Sequence, residues 1–427
     1  MTKLYLILYN VFFIYPFYLV VKILSFFNSK VRTGIEGRKD FFKRLPESLA
    51  KLDMSKKTVW FHSSSLGEFE QAKPIIEKIK SEGSYNIFVT FFSPSGYTNS
   101  LRYPYADAVS YIPFDSYSNA KRFTDLLKPS LAVFMRYDYW PNHIYELYRM
   151  QIPIIIVDAT MRDSSPRHSF FARSFHSNLY SKISKILTVS ANDVNNFKRF
   201  GIEDSKLLSV GDTRFDRVYQ RSLIAKGKNL VNESIVKDKF VFVLGSTWDE
   251  DEAVMIPVVL KLMERNPNIL VIIAPHEPTV LHLEKLENDF HVKFNSVRFS
   301  NLNNYKNEQV ILVDSIGILL TLYYYASCAF VGGSFKSSIH NVLEAAVYGI
   351  PVLYGPKINS SQEAKQLASL GGGVIIRSQR EAYKQLRKLN AESGYREEKG
   401  RISRDYVFSN IGATDKIYSE IINQLGT

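Results

Sequence analysis

Three short stretches hold the residue types that could do chemistry. The first is Trp60-Phe61-His62-Ser63-Ser64-Ser65-Leu66-Gly67-Glu68. An apolar run ends there, serines and a glycine turn the chain, and a helix begins near Glu68. Ser65 and Gly67 line that turn, and Gly67 lets a ligand approach the backbone closely. Glu68 at the helix start is either a carboxylate presented to a ligand or a stabiliser of the helix N-terminus. A parallel stretch, Phe92-Ser93-Pro94-Ser95-Gly96, ends the next apolar run; Ser95 and Gly96 are candidates, though serines there also cap helices. The second group is Gly245-Ser246-Thr247, followed by Asp249, Glu250, Asp251 and Glu252. Acids at a helix start repel phosphate, but backbone amides of the preceding loop could still hold a ligand. The third group joins Pro275-His276 to Gly332-Gly333-Ser334-Phe335 and to His340-Asn341-Val342-Leu343-Glu344. A glycine pair admits phosphate or sugar to the backbone. His340, Asn341 and Glu344 stand at i, i+1 and i+4, which would put His340 and Glu344 on one helix face. Helix-terminal amides beside such a polar fork suit a nucleotide sugar. Cysteine ligands and paired-histidine spacing are missing, which argues against zinc.

Positioning these residues requires alternating strands and helices. Apolar strands are expected at Thr58–His62, Ile87–Phe92, Leu131–Met135, Ile152–Asp158 and Lys185–Ser190, with a helix over Glu68–Lys80. The rhythm restarts at Phe240–Leu244, Ile269–Ala274, Val310–Val313, Cys328–Val331 and Pro351–Leu353. Strands separated by helices imply parallel sheets with crossover helices. The polar stretch 218–239 reads as a linker. The expected fold class is α/β with two successive doubly wound domains around a cleft, their ligands at strand carboxyl ends. The chain of 427 residues is long enough for that. Its single cysteine, Cys328, excludes an internal disulfide framework.

The net charge of +12 calls for an anionic partner, and the N-terminus indicates which. Leu4–Phe27 is almost wholly apolar; about 24 helical residues reach ~36 Å, enough to cross a bilayer. No small-residue cleavage site follows, since Ala50 is the first alanine. An uncleaved anchor over residues 1–28 is therefore expected rather than a signal peptide or a core helix. Pro16, Lys22 and four tyrosines also suit a helix lying in the interface. Between Lys30 and Lys57 nine basic residues face four acids, a surplus that attracts anionic lipid and keeps the following domain cytoplasmic. Nothing resembles a nucleic-acid recognition motif.

Taken in order, these motifs resemble the Kdo (3-deoxy-D-manno-octulosonic acid) transferases of lipopolysaccharide synthesis. The resemblance runs from the anchor and Gly37-Arg38 through Trp60–Glu68, Trp140-Pro141-Asn142, Asp158–Arg162, Gly211–Asp216, Gly245-Ser246-Thr247, Pro275-His276 and Gly332–Phe335 to His340–Glu344. It implies a GT-B type fold: an acceptor domain over 29–217 and a CMP-Kdo domain over 240–427, whose last helix could pack back on the first domain. It implies an inverting transferase at the cytoplasmic face of the inner membrane, needing no metal or cofactor. CMP-Kdo would be the donor and a tetraacylated lipid A precursor the acceptor. Glu68 matches the family's general base. Pro275, His276, Gly333, Ser334, His340, Asn341 and Glu344 fall on the donor side. Three departures stand out. Ala274-Pro275-His276 lacks the arginine of the family's Pro-Arg-His. Arg136 and Asp138 replace two glutamates before Trp140. Lys336-Ser337-Ser338-Ile339 replaces a glycine-containing stretch. Two rivals are a GT-B enzyme using a UDP-sugar and a non-catalytic nucleotide-sugar binder.

Overall fold

The structure, a computed structural model, describes residues 2–426. The chain forms two compact units: one up to Arg217 together with the segment from Ile411 onward, the other Val218–Asn410.

In the first unit β1 (Thr58–Ser63), β2 (Asn86–Phe91), β3 (Ala108–Tyr111), β4 (Leu131–Met135), β5 (Ile154–Ala159), β6 (Lys185–Thr188) and β7 (Leu207–Ser209) make one parallel sheet, ordered β3-β2-β1-β4-β5-β6-β7. β1, β2, β4 and β5 are buried along their whole length, as strands covered on both faces must be. On one face Trp60, Phe88, Phe123 and Phe134 pack together. On the other lie Phe69, Ile75 and Ile76, with Ile417, Ile421 and Leu425 from the helix Ala413–Leu425. That helix returns to the first unit after the chain has built the second.

The second unit repeats the plan. β8 (Phe240–Thr247), β9 (Ile269–Pro275), β10 (Ser296–Arg298), β11 (Val310–Leu312), β12 (Cys328–Val331), β13 (Val352–Tyr354) and β14 (Gly373–Ile375) form a parallel sheet ordered β10-β11-β9-β8-β12-β13-β14. Residues 218–239 are not a plain linker: the helix Thr213–Lys226 runs into them, and a short helix covers Glu233–Val236.

Each sheet reverses its winding once, between β1 and β4 and between β8 and β12. The ends of those strands form the crevice where doubly wound sheets hold ligands. Each sheet also has a register shift ending in a left-handed residue: Asp158 (φ 50°) at β5 and Ser246 (φ 53°) at β8.

The N-terminal segment is a continuous helix, Thr2–Tyr9 and Tyr15–Phe27 joined by a π-helical turn, Asn10–Ile14. One side lies on the first unit. Tyr9 Oη donates to Asp115 at 3.0 Å, and Asn10 and Asn142 exchange side-chain amide hydrogen bonds at 2.9 and 3.1 Å. Tyr5 reaches Ser174, Phe17 packs near Phe92, and Tyr18 meets Phe114 edge-on. Leu4, Ile7, Phe12, Leu19, Ile23 and Phe27 stand exposed on the other side. Leu4–Phe27 is long and apolar enough to cross a membrane by length and composition.

Candidate active site

In the first unit the candidate groups gather at the ends of β1 and β4. Ser65 is the N-cap of the helix Leu66–Glu82, its Oγ accepting from the Glu68 N–H at 3.4 Å. The Glu68 carboxylate bends back and accepts the Ser64 N–H at 2.6 Å. The capping role is therefore real. It does not account for the carboxyl's environment, however. Glu68 is only 7% exposed, and burial pushes its pKa up to about 7. The Ser64 amide pulls the other way, the charge of Asp138 adds to the rise, and Arg136 opposes it. A carboxylate titrating near neutrality is suited to proton transfer. Gly67 is exposed, and an added Cβ would meet only Ser65 Oγ at 3.9 Å. The interior makes no demand for glycine there, which leaves that side open to an approaching molecule.

Asp138, at the end of the β4 loop, is held by His62 Nε2 at 2.9 Å and by the Trp140 indole N–H at 3.1 Å. His62 is fully buried, its Nδ1 2.9 Å from Thr90 Oγ1. His62 stood in the motif, but only the register placing β1 beside β4 shows its partner. Arg136 adopts φ 58° and donates to Gln71 Oε1 at 3.1 Å. Ser95 and Gly96 have plainer duties. Ser93 caps the helix Pro94–Ser100 with Ser95 Oγ 3.4 Å away, and a Cβ on Gly96 would strike the Phe91 ring at 2.5 Å.

The motifs Asp158–Arg162 and Gly211–Asp216 meet as scaffold. Thr213 donates its N–H and hydroxyl to the buried Asp158 carboxylate. Asp216 accepts the Gly412 and Thr414 amides at 2.7 and 3.0 Å, fastening the start of the last helix.

In the second unit the groups collect around β8, β9 and β12. Trp248, His276 and His340 form a ring cluster in which His276 stacks on both of the others, each at 4.5 Å between centroids. The Trp248 indole N–H donates to His340 Nε2 at 3.1 Å. Burial lowers the His340 pKa, and His276 lowers it further. Pro275 ends β9 just before His276. Gly333, at φ 93°, has no room for a Cβ, which would lie 2.3 Å from the Ser338 carbonyl oxygen.

Three expectations need correction. The amides of the glycine pair are not open to a phosphate: Gly333 N–H and Phe335 N–H donate to Asp251 at 2.7 and 3.2 Å. Ser334 is fully buried, its Oγ accepting the Gly355 N–H at 2.6 Å. The helix spans only Leu343–Ala346, so His340 and Asn341 lie in the loop before it and no i, i+4 face joins His340 to Glu344. Asn341 accepts the Leu343 N–H, and Glu344 pairs with Arg221 at 3.5 Å. Gly245 and Thr247 are packing positions: a Cβ on Gly245 would sit 2.0 Å from the Tyr323 hydroxyl, and Thr247 donates to buried Glu252 at 2.8 Å. Asp249, Glu252 and His282 lie close enough to hold a metal ion, but Lys285 already pairs with Asp249 and approaches Glu252 to 3.9 Å.

Two parallel doubly wound units, each with its polar groups at the point where strand order reverses, make a fold of the GT-B type. Residues 39–217 match the family described as 3-deoxy-D-manno-octulosonic-acid transferase (kdotransferase). The chain is 28% identical over 375 residues to the 3-deoxy-D-manno-octulosonic acid transferase of Haemophilus influenzae, covering 84% of this chain and 85% of that one. To the enzyme of the same name from Aquifex aeolicus it is 29% identical over 338 residues, covering 78% and 86%. Among solved structures, the UDP-GlcNAc 2-epimerase of Neisseria meningitidis superposes with a TM-score of 0.61 at 14% identity, covering 86% of this chain and all of that one; this likeness is one of fold. The chain is thus similar to Kdo transferases, which are glycosyltransferases, over most of its length, and residues 39–217 match their family model.

Proposed function

We propose that this protein transfers Kdo from CMP-Kdo to the glucosamine 6-hydroxyl of a tetraacylated lipid A precursor, with inversion, at the cytoplasmic face of the inner membrane. The observation that carries the reading is Glu68: a buried carboxyl with a pKa near 7 at the β1 end, within the Kdo transferase domain. Its carboxylate takes the proton of the acceptor hydroxyl. The freed oxygen bonds to the anomeric carbon of Kdo as the bond to the CMP phosphate oxygen breaks, and the electron pair leaves with CMP. The second unit then has to bind the nucleotide and stabilise the charge on its phosphate.

The acceptor is a lipid, and the first unit carries features that suit one. The N-terminal helix touches the unit from Tyr5 to Tyr18, about 20 Å along its axis. So long a docked stretch favours a helix lying in the interface, with its apolar side in the acyl region. A cavity of about 520 Å³ opens beside it, lined by Ile14, Tyr18, Ile35, Arg38 and Phe114. The Arg38 guanidinium donates to the Phe92 carbonyl at 2.6 Å, and the Ser93 amide bonds to the Ser64 carbonyl at 2.9 Å. Lipid-side residues and the Glu68 turn thus share one short run of backbone.

The test is incubation of the purified, detergent-solubilised protein with CMP-Kdo and the tetraacylated precursor, with the product mass read out. A gain of one or more Kdo masses is expected. Transfer from a UDP-sugar with none from CMP-Kdo would replace the donor assignment.

A further inference from the structure

Among the cations near the ends of β8, β9 and β12, Lys336 differs from its neighbours. Lys285 is tied to Asp249, Arg221 to Glu344, and Lys357 donates to the carbonyls of Phe335 and Lys336 at 3.0 and 2.7 Å. The Lys336 ammonium makes no hydrogen bond or ion pair among the described residues. Its ammonium rests on the Trp248 ring, 3.4 Å from the centroid, and the side chain is exposed. Trp248 belongs to the ring cluster: it stacks on His276 and donates its indole N–H to His340.

A nucleotide phosphate needs positive charge or free N–H groups. The second unit is short of both at the expected places. No arginine stands between Pro275 and His276. The Gly333 and Phe335 amides serve Asp251, and the helix after Asn341 is a single turn with its first amide capped. No acid at the start of the helix Asp249–Met263 forms an ion pair with Lys336 among the described residues, although its charge reaches Asp249. Asp249 is neutralised by Lys285, Asp251 is satisfied by backbone amides, and Glu252 is bonded to Thr247 and His282.

We propose that Lys336 binds the donor phosphate, supplying from the β12 loop the charge that the Pro275-His276 turn lacks. The inference rests on the reading of the second unit as the CMP-Kdo site. A cation–π contact holds the ammonium on the Trp248 face of the ring cluster. With donor, the ammonium moves onto the phosphate oxygens, a stronger partner for a compact charge.

The experiment measures CMP and cytidine binding by calorimetry on the full chain and on Lys336→Ala and Lys336→Arg variants. Lys336→Ala should weaken CMP binding by about 10- to 150-fold, the range for a lost hydrogen bond to a charged group. Cytidine binding should stay unchanged, and Lys336→Arg should keep CMP affinity within about threefold of the original. Unchanged CMP affinity in Lys336→Ala, or equal losses for CMP and cytidine, overturns the assignment while the functional reading stands. If the unaltered protein binds no CMP, the functional reading itself fails and the assignment falls with it.

Discussion

The Glu68 carboxyl carries two loads, and they pull stability and activity apart. A carboxyl whose folded pKa is raised binds its proton more tightly in the folded state than in the unfolded one. Stability is then lost as pH rises from the ordinary carboxylate range to about 7. Above that pH the ionised, desolvated group costs the fold free energy, about 3 kcal/mol at 1.36 kcal/mol per pKa unit. Glu68→Gln removes that cost along with the base. Turnover should fall about 10²- to 10⁴-fold with CMP-Kdo binding kept, while the melting temperature at pH 8 holds or rises. A large fall in melting temperature with near-normal turnover would return Glu68 to capping alone. The base form must be ionised, so kcat/KM should rise with pH and level off above about 7. Asp138 contributes to the raised pKa through its charge, so Asp138→Asn should move the acid limb of that profile to lower pH. A profile that stays in place would show that Asp138 acts only on His62 and Trp140.

At the scale of elements, the N-terminal helix is fastened by its π turn. A wide turn at Asn10–Ile14 brings Asn10 round to face Asn142, and both side chains are buried. Asn10→Ala leaves the Asn142 amide short of a partner, at a cost of about 1–3 kcal/mol. Amide hydrogen exchange over Thr2–Phe27 should quicken while β1 to β5 stay protected; unchanged exchange would mean that the apolar contacts alone hold the helix. Hydropathy showed the length of this helix but not the docked side, because Asn10, Tyr9 and Tyr5 are isolated polar residues until Asn142, Asp115 and Ser174 come beside them. A similar divide runs through the sheets. Central strands such as Leu131–Met135 and Cys328–Val331 were legible to the residue, since burial on both faces demands an unbroken apolar run. The four strands that went unread, β3, β7, β10 and β14, are the four sheet edges. They are three or four residues long and partly exposed, so composition marks them poorly. At the site, single motifs were readable and their pairings were not. Asp251 under the glycine pair and Trp248 against His276 depend on which strands adjoin, which spacing along the chain does not encode.

At the scale of the whole molecule, the first unit is assembled from both ends of the chain. Ile417, Ile421 and Leu425 are buried in its core, and Asp216 and Lys57 hold the two ends of their helix. Three such side chains stabilise by about 1.5–3 kcal/mol each, together comparable with the stability of an entire domain. Truncation after Asn410 should therefore abolish the cooperative melting transition of the first unit and with it Kdo transfer, while CMP binding by Val218–Asn410 persists. A truncated protein with full transferase activity would refute this division of labour. The discontinuity also sets an order of events during synthesis. The apolar helix leaves the ribosome before Val218–Asn410 and the closing helix after it. At about 5–20 residues per second that stretch takes roughly 10–40 s. Throughout that interval the nascent first unit exposes the groove meant for Ile417 and Ile421. All seven strands of the first sheet are thus made before the helix that covers one of its faces.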